Sequence, residues 1–159
     1  MQSQNLSLFR LLALGAVTIL LGCHCREHHC CDGSSSTATA DRIVLEAEGA
    51  LGPYSGSVLS GSLVFVSGKI GKIAGQEQTY AEEVETCLDR IEAELARSGL
   101  DFSDVVDSLV FLTDMERYGE FNALYGARLP APYPTRACIG VAALPADARV
   151  EIKVTARRR

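Results

Sequence analysis

Residues 79–99, TYAEEVETCLDRIEAELARSG, constrain the architecture of this chain more than any other stretch. Tyr80, Val84, Cys87, Leu88, Ile91 and Leu95 recur at intervals of three and four, which is the signature of one apolar face of a helix. Thr79 and Glu82 have the spacing of a capping box, and Gly99 stands where a helix C-cap is expected. Such a stripe has to be covered by something apolar. The segments before and after it read as strands, no internal repeat is apparent, and the punctuation predicts a single α+β unit from about Arg42 onward.

Residues 42–48 alternate weakly, as an edge strand would, and residues 58–68 read as two strands joined at Ser60-Gly61. VVDSLVFLTD (105–114) is a further strand, after which Asp114 is placed to cap a shorter helix running to about Tyr125, with Met115, Tyr118, Phe121 and Leu124 as its apolar stripe. A proline-rich loop, RLPAPYPT, leads to two last strands. Strict alternation in RACIGVAAL places Ala137, Ile139 and Val141 on the core face and Arg136, Cys138 and Gly140 on the other. In RVEIKVT, Val150, Ile152 and Val154 oppose Arg149, Glu151 and Lys153. Arg136, Cys138 and Glu151 are thereby predicted to share the non-core face. That face is too poor in polar side chains for a solvated one, and it predicts a subunit interface with a pocket in it. Arg136 is the pointed feature: a permanent charge with five donors in a rigid fork, set in an apolar run, needs something to satisfy it.

At 159 residues, 47% hydrophobic and 22% charged, the chain has the composition of one soluble globular domain with an N-terminal extension. A formal charge of −5 argues against nucleic acid as a partner, and the terminal Arg157-Arg158-Arg159 is too short to reverse that. Residues 1–22 read as a signal peptide: Arg10 precedes an apolar run from Leu11 to Leu21, shorter than the ~20 residues of a comfortable membrane span. Its end, Leu20-Leu21-Gly22-Cys23, resembles the lipobox of bacterial lipoproteins, which implies lipidation of Cys23 and an exported protein held to the envelope membrane by that anchor alone. An uncleaved anchor and a mis-assigned start, which would leave the protein cytoplasmic, are the alternatives. Residues 23–41 form a tether that begins with Cys25, His28, His29, Cys30 and Cys31. These are ligand types for a soft or borderline metal, but they lack the loop-separated pairs of a structural zinc site, and a reactive or disulfide-bonded surface tract is the other reading. Within the domain at 42–159 only Cys87 and Cys138 occur, too few for a disulfide framework.

Three stretches carry a resemblance: GPYSGSVLSGSLVFVSGKIG (52–71), VVDSLVFLTDMERYGEFNALYG (105–126) and PTRACIGVAALPADARVEIKVTA (134–156). In order and spacing they resemble the RidA/YjgF family of reactive-intermediate deaminases, and with the helix between them they cover nearly all of the chain beyond residue 41. The resemblance implies an α+β, chorismate-mutase-like fold: a mixed β-sheet with two helices packed on one face, assembled as a trimeric barrel with its sites in the clefts between subunits. It also implies hydrolysis of 2-enamine and 2-imine acids, such as 2-aminoacrylate and 2-iminopropanoate, to 2-oxo acids and ammonia, with no cofactor and no metal.

By motif, Arg136 is the carboxylate-binding arginine, Glu151 the acid, and Tyr54 and Ser67 the further catalytic positions. Gly68 and Cys138 lie beside the substrate, and Asn122 has a more structural role. The residue types suit the reaction. A guanidinium holds a planar carboxylate at two points and orients the imine carbon. A glutamate can position and activate water, while hydroxyls take up developing charge. Cys138 reads as a small space-filler with a weak donor, since the chemistry needs no thiolate. The chain departs from the family pattern at Lys69, where glutamine is common, in the short KIGKIAGQ segment, and in a short loop before Arg136. Competing readings are a non-catalytic carboxylate-binding or holdase-like envelope trimer, and a metal-handling lipoprotein that uses the Cys/His tract.

Overall fold

A computed structural model of the protein describes residues 42–47 and 52–159, so the readings of residues 1–22, of Cys23 and of the 23–41 tether lie outside the described residues. Helix α1 (Tyr80–Ala96) starts as its sequence dictates: the Thr79 hydroxyl accepts from the Glu82 amide, and the Glu82 carboxylate accepts from the Thr79 amide at 2.7 Å. That amide bond, with a second from the Thr79 hydroxyl to the same carboxylate at 2.8 Å, holds the Glu82 carboxyl below the usual carboxylate range. Beyond the helix end Gly99 takes φ +71°, which lets the Leu100 amide reach the Leu95 carbonyl at 3.1 Å. All six residues of the predicted stripe are buried, and two charged residues, Glu83 and Glu94, are buried with them.

The helix packs on a six-stranded mixed sheet. Its strands are β1 (Arg42–Leu45), β2 (Ser57–Ser60), β3 (Leu63–Ile70), β4 (Val105–Leu112), β5 (Thr135–Gly140) and β6 (Val150–Arg157), in the order β1-β2-β3-β6-β4-β5. Neighbours are antiparallel except β4 and β5, which run parallel because α2 (Tyr118–Arg128) crosses between them. The β2–β3 turn is centred on Gly61-Ser62, one residue later than predicted, with Gly61 at φ +58°. Asp114 caps only a single 3-10 turn, Met115–Arg117, by accepting from the Glu116 amide at 2.9 Å. The α-helix proper starts at Tyr118 and runs past the predicted end to Arg128, burying Phe121 and Tyr125 while Met115 and Tyr118 stay exposed. Val64, Val66, Val110, Leu112, Val150 and Ile152 are fully buried on the central strands. At ~1.5–3 kcal/mol for each such side chain, the hydrophobic stabilisation is concentrated in β3, β6 and β4 beneath the helices.

Among the described residues, nothing covers the strands' other face. Paired residues Val58 and Phe65, and Phe111 and Ile139, lie on it, with Phe65 40% and Ile139 44% exposed.

β5 is phased opposite to expectation. Arg136 pairs with Ser108, which is buried beneath α2, and Cys138 packs against the core, whereas Ala137 and Ile139 are exposed. Glu151 pairs with Phe111 and so lies on the uncovered face with Ile139. Arg136 and Cys138 therefore do not share a face with Glu151. The reason is local: α2 presents polar groups to the start of β5, and those groups make the helix side hospitable to a guanidinium.

At the head of β6, buried Glu83 accepts from both the Arg149 amide and Arg149 Nε, each at 2.6 Å. A breakage there would strand a fully buried carboxylate. Gly71 lies so close to the α1 backbone at Glu83 that a Cβ would collide with it.

Candidate functional site

Two separate cavities hold the sequence-predicted residues other than Cys138. The first, about 380 Å³, is lined by Asn122, Tyr125, Gly126, Tyr133, Pro134 and Arg136. Arg136 Nη2 donates to Asn122 Oδ1 at 2.6 Å and to Tyr118 OH at 3.1 Å. The guanidinium carbon sits 4.8 Å from the Tyr125 ring centroid, 5.6 Å from that of Phe121 and 5.7 Å from that of Tyr118. The Tyr125 hydroxyl is in turn 2.8 Å from Ser108 Oγ, and burial pushes its pKa up. Among the described residues Arg136 has no carboxylate partner, and its Nε and Nη1 make no hydrogen bond. A fixed cation with unused donors facing a cavity is a receptor for a small anion.

Cys138 is half-buried next to this arginine; burial raises its thiol pKa and the Arg136 charge lowers it in part. The thiol form is favoured, which agrees with a packing role.

The second cavity, about 440 Å³, is lined by Tyr54, Ser67, Gly68, Pro145 and Glu151, among others. Ser67 lies at the bulge where β3 shifts register against β6, and its hydroxyl donates to the Ser55 carbonyl at 2.6 Å. That bond uses the serine's only proton, so Ser67 presents lone pairs to the cavity, where the sequence reading had expected a donor. Tyr54 is 47% exposed. The Glu151 carboxylate lies directly over Gly68, where a Cβ would fall on it, and it has no hydrogen-bond or ionic partner among the described residues. Burial raises its pKa above the ordinary carboxylate value. An under-solvated carboxylate beside hydroxyls is suited to taking a proton from water.

The structure thus brings Tyr54, Ser67, Gly68 and Glu151 together, and separately joins Arg136 to Asn122. Sequence reading missed Tyr118, Tyr125 and Ser108 as the residues that hold Arg136. Tyr118 and Tyr125 stand four before and three after Asn122, on one helical face, and that spacing was the available signal. Ser108, inside an apolar strand, gave none. Among the described residues no group of three or more His, Cys, Asp or Glu is placed to hold a metal ion.

Residues 45–158 match the family model described as Endoribonuclease L-PSP. The RutC family protein y4sK of Sinorhizobium fredii is 39% identical over 112 residues, spanning 68% of this chain and 89% of that relative. The 2-iminobutanoate/2-iminopropanoate deaminase of Homo sapiens is 36% identical over 115 residues, spanning 70% of this chain and 84% of that protein. Among solved structures, Escherichia coli TdcF with bound serine superposes with a TM-score of 0.68 at 33% identity, spanning 74% of this chain and 99% of that one.

Proposed function

Because this chain belongs to the Endoribonuclease L-PSP family, the RidA/YjgF proteins, and has relatives named reactive intermediate deaminases, we propose that it hydrolyses 2-imine and 2-enamine acids to 2-oxo acids and ammonia as a homotrimer. The observation that carries this reading is the placement of Arg136 and Glu151 on opposite faces of one sheet, each opening to its own cavity. One small acid can meet both only where the arginine cavity of one protomer abuts the glutamate cavity of a neighbour. The uncovered apolar face bearing Phe65 and Ile139 supports such an assembly.

In the proposed site the substrate carboxylate docks on Arg136 Nε and Nη1, which orients C2 toward Glu151 of the adjoining protomer. Glu151 takes a proton from water as the water oxygen bonds to C2 of the protonated imine. The carbinolamine then collapses: the proton on Glu151 returns to nitrogen, the C–N bond breaks and ammonia leaves, and Glu151 takes the hydroxyl proton as the carbonyl forms and releases it to solvent. Ser67, with its lone pairs exposed, accepts from the iminium N–H, and the Tyr54 hydroxyl faces the developing oxygen. Acid–base help of this kind is worth ~10²–10⁴-fold.

The test uses the full chain and 2-iminopropanoate generated in situ, with pyruvate release above the spontaneous rate as the expected result. Arg136→Ala and Glu151→Gln are each expected to be inactive, and co-refolded mixtures of the two to recover activity, because mixed trimers contain clefts with both native residues. No recovery on mixing would sink the shared site. Retained binding without turnover would instead support a non-catalytic carboxylate-binding trimer.

The lipobox-like Leu20-Leu21-Gly22-Cys23 supports a second part of the proposal, export and anchoring through lipidated Cys23. Full-length protein is expected in the membrane fraction and to incorporate labelled fatty acid, with the label lost in Cys23→Ala; membrane protein without label would leave the uncleaved anchor, and soluble protein the cytoplasmic alternative.

A further inference from the structure

A third cavity, about 720 Å³, adjoins the Glu151 cavity: Tyr54, Gly68 and Ile70 line both. Its charged lining consists of Lys69, Lys72, Arg90 and Arg97 against a single carboxylate, Glu94. Four cations thus face one anion, in a protein whose formal charge is −5.

The single acid is already committed. Glu94, 6% exposed, accepts from Lys69 Nζ at 2.9 Å, from Arg97 Nη1 at 3.1 Å and from Ser57 Oγ at 2.9 Å. Burial raises its pKa, but the Lys69 and Ser57 hydrogen bonds and the two cations outweigh that and hold it below the usual range, so it stays ionised and its capacity is spent on Lys69 and Arg97. Arg90 donates through Nη1 to the carbonyls of Ile70, at 2.6 Å, and Lys72, at 3.2 Å. It therefore ties down the segment that carries Lys72, while its charge is not neutralised. Among the described residues neither Arg90 nor Lys72 has a carboxylate partner. The cavity is positive because of groups fixed in place by other parts of the fold, and such a cavity concentrates anions.

We infer that this basic cavity selects the substrate's side chain, and that the preferred substrates are 2-imino acids with a second carboxylate, four or five carbons long. The inference rests on the reading above: the first carboxylate lies on Arg136, the imine carbon at Glu151, and the side-chain carboxylate beyond Gly68 beside Lys72. Water adds across the C=N bond and ammonia leaves, giving a 2-oxo dicarboxylate with no oxidant or reductant required.

Full-length protein is supplied with imines released by amino-acid oxidases from aspartate or glutamate, and in parallel from alanine. The expected result is a kcat/KM for the dicarboxylic imines about tenfold or more above that for 2-iminopropanoate, shrinking as salt is raised. Lys72→Glu is expected to lower that selectivity ratio about tenfold, with Lys72→Gln in between. Turnover of 2-iminopropanoate with no dicarboxylate preference, or a Lys72→Glu effect equal for both substrates, overturns the inference while leaving the deaminase reading intact. Turnover of neither imine defeats the deaminase reading. The cavity is then judged by calorimetry with 2-oxoglutarate: binding that Lys72→Glu weakens supports it, and absence of binding overturns it.

Discussion

In the Arg136 cavity the charged group is fixed from several sides, with Asn122 and Tyr118 accepting from one nitrogen and the Tyr125 ring beneath, itself held by Ser108. In the Glu151 cavity the carboxylate has no partner among the described residues and is crowded over a glycine. The first arrangement makes a rigid receptor, whose geometry exists before any ligand arrives. The second leaves a group in tension with its surroundings, and that tension is what lifts its proton affinity. A binding residue profits from being satisfied and a base from being poorly satisfied, and here the sheet keeps the two on different faces.

The largest test of this contrast is Glu151→Gln. Turnover is expected to fall ~10²–10⁴-fold, because no carboxylate remains to take the proton. Stability should move the other way. A carboxyl whose folded-state pKa is raised contributes stability below its unfolded pKa and loses it as pH rises through the folded value. Ionised Glu151 is thus a liability at neutral pH, so the variant is expected to melt higher than wild type at about pH 7, with the gain fading toward about pH 4. By the same sign, wild-type kcat/KM should fall on acidification at a pH above the ordinary carboxylate range. Thermal melts and rate profiles across that range check both.

Arg136→Lys comes next. The charge is kept but the fork is lost, and kcat/KM is expected to drop ~10²-fold through misorientation. Gly68→Ala sharpens the other side: its methyl displaces the Glu151 carboxylate, which should cost about tenfold in kcat while KM changes less. The smallest effect is expected for Ser108→Ala, which leaves the buried Tyr125 hydroxyl unpartnered. Denaturant melts should show a loss of ~1–3 kcal/mol, with a modest rise in KM as the ring beneath Arg136 loosens.

How much of this was legible in the sequence depended on how strongly each element's pattern was over-determined. The six-residue stripe of α1 and the phase of β6 were readable, since large apolar residues occupied one face and charges the other. The matched motifs also led to the right α+β family. β5 was not readable in the same way. Thr-Arg-Ala-Cys-Ile-Gly offers small residues on both faces, alternation has two phases, and shifting by one residue exchanges every side chain. The assumption that a charge turns away from the core decided it wrongly, because the polar partners sit on α2 and no pattern within β5 itself shows them. Glu83 and Glu94 were overlooked for a related reason. They fall on the apolar positions of α1 by spacing, yet their partners, Arg149, Lys69 and Ser57, come from distant strands. Nor did the sequence indicate that Arg136 and Glu151 would occupy separate cavities, which required the strand order.

The hold of Glu83 on Arg149 reaches both the main chain and the side chain, from beneath the sheet. Residues 141–148 end at that clasp, so an inserted or deleted residue among them is taken up before β6 begins, and Glu151 keeps its register with Phe111. Pro145, which walls the Glu151 cavity, belongs to that segment. The pocket's rim can therefore be recut over evolutionary time without unseating its acid.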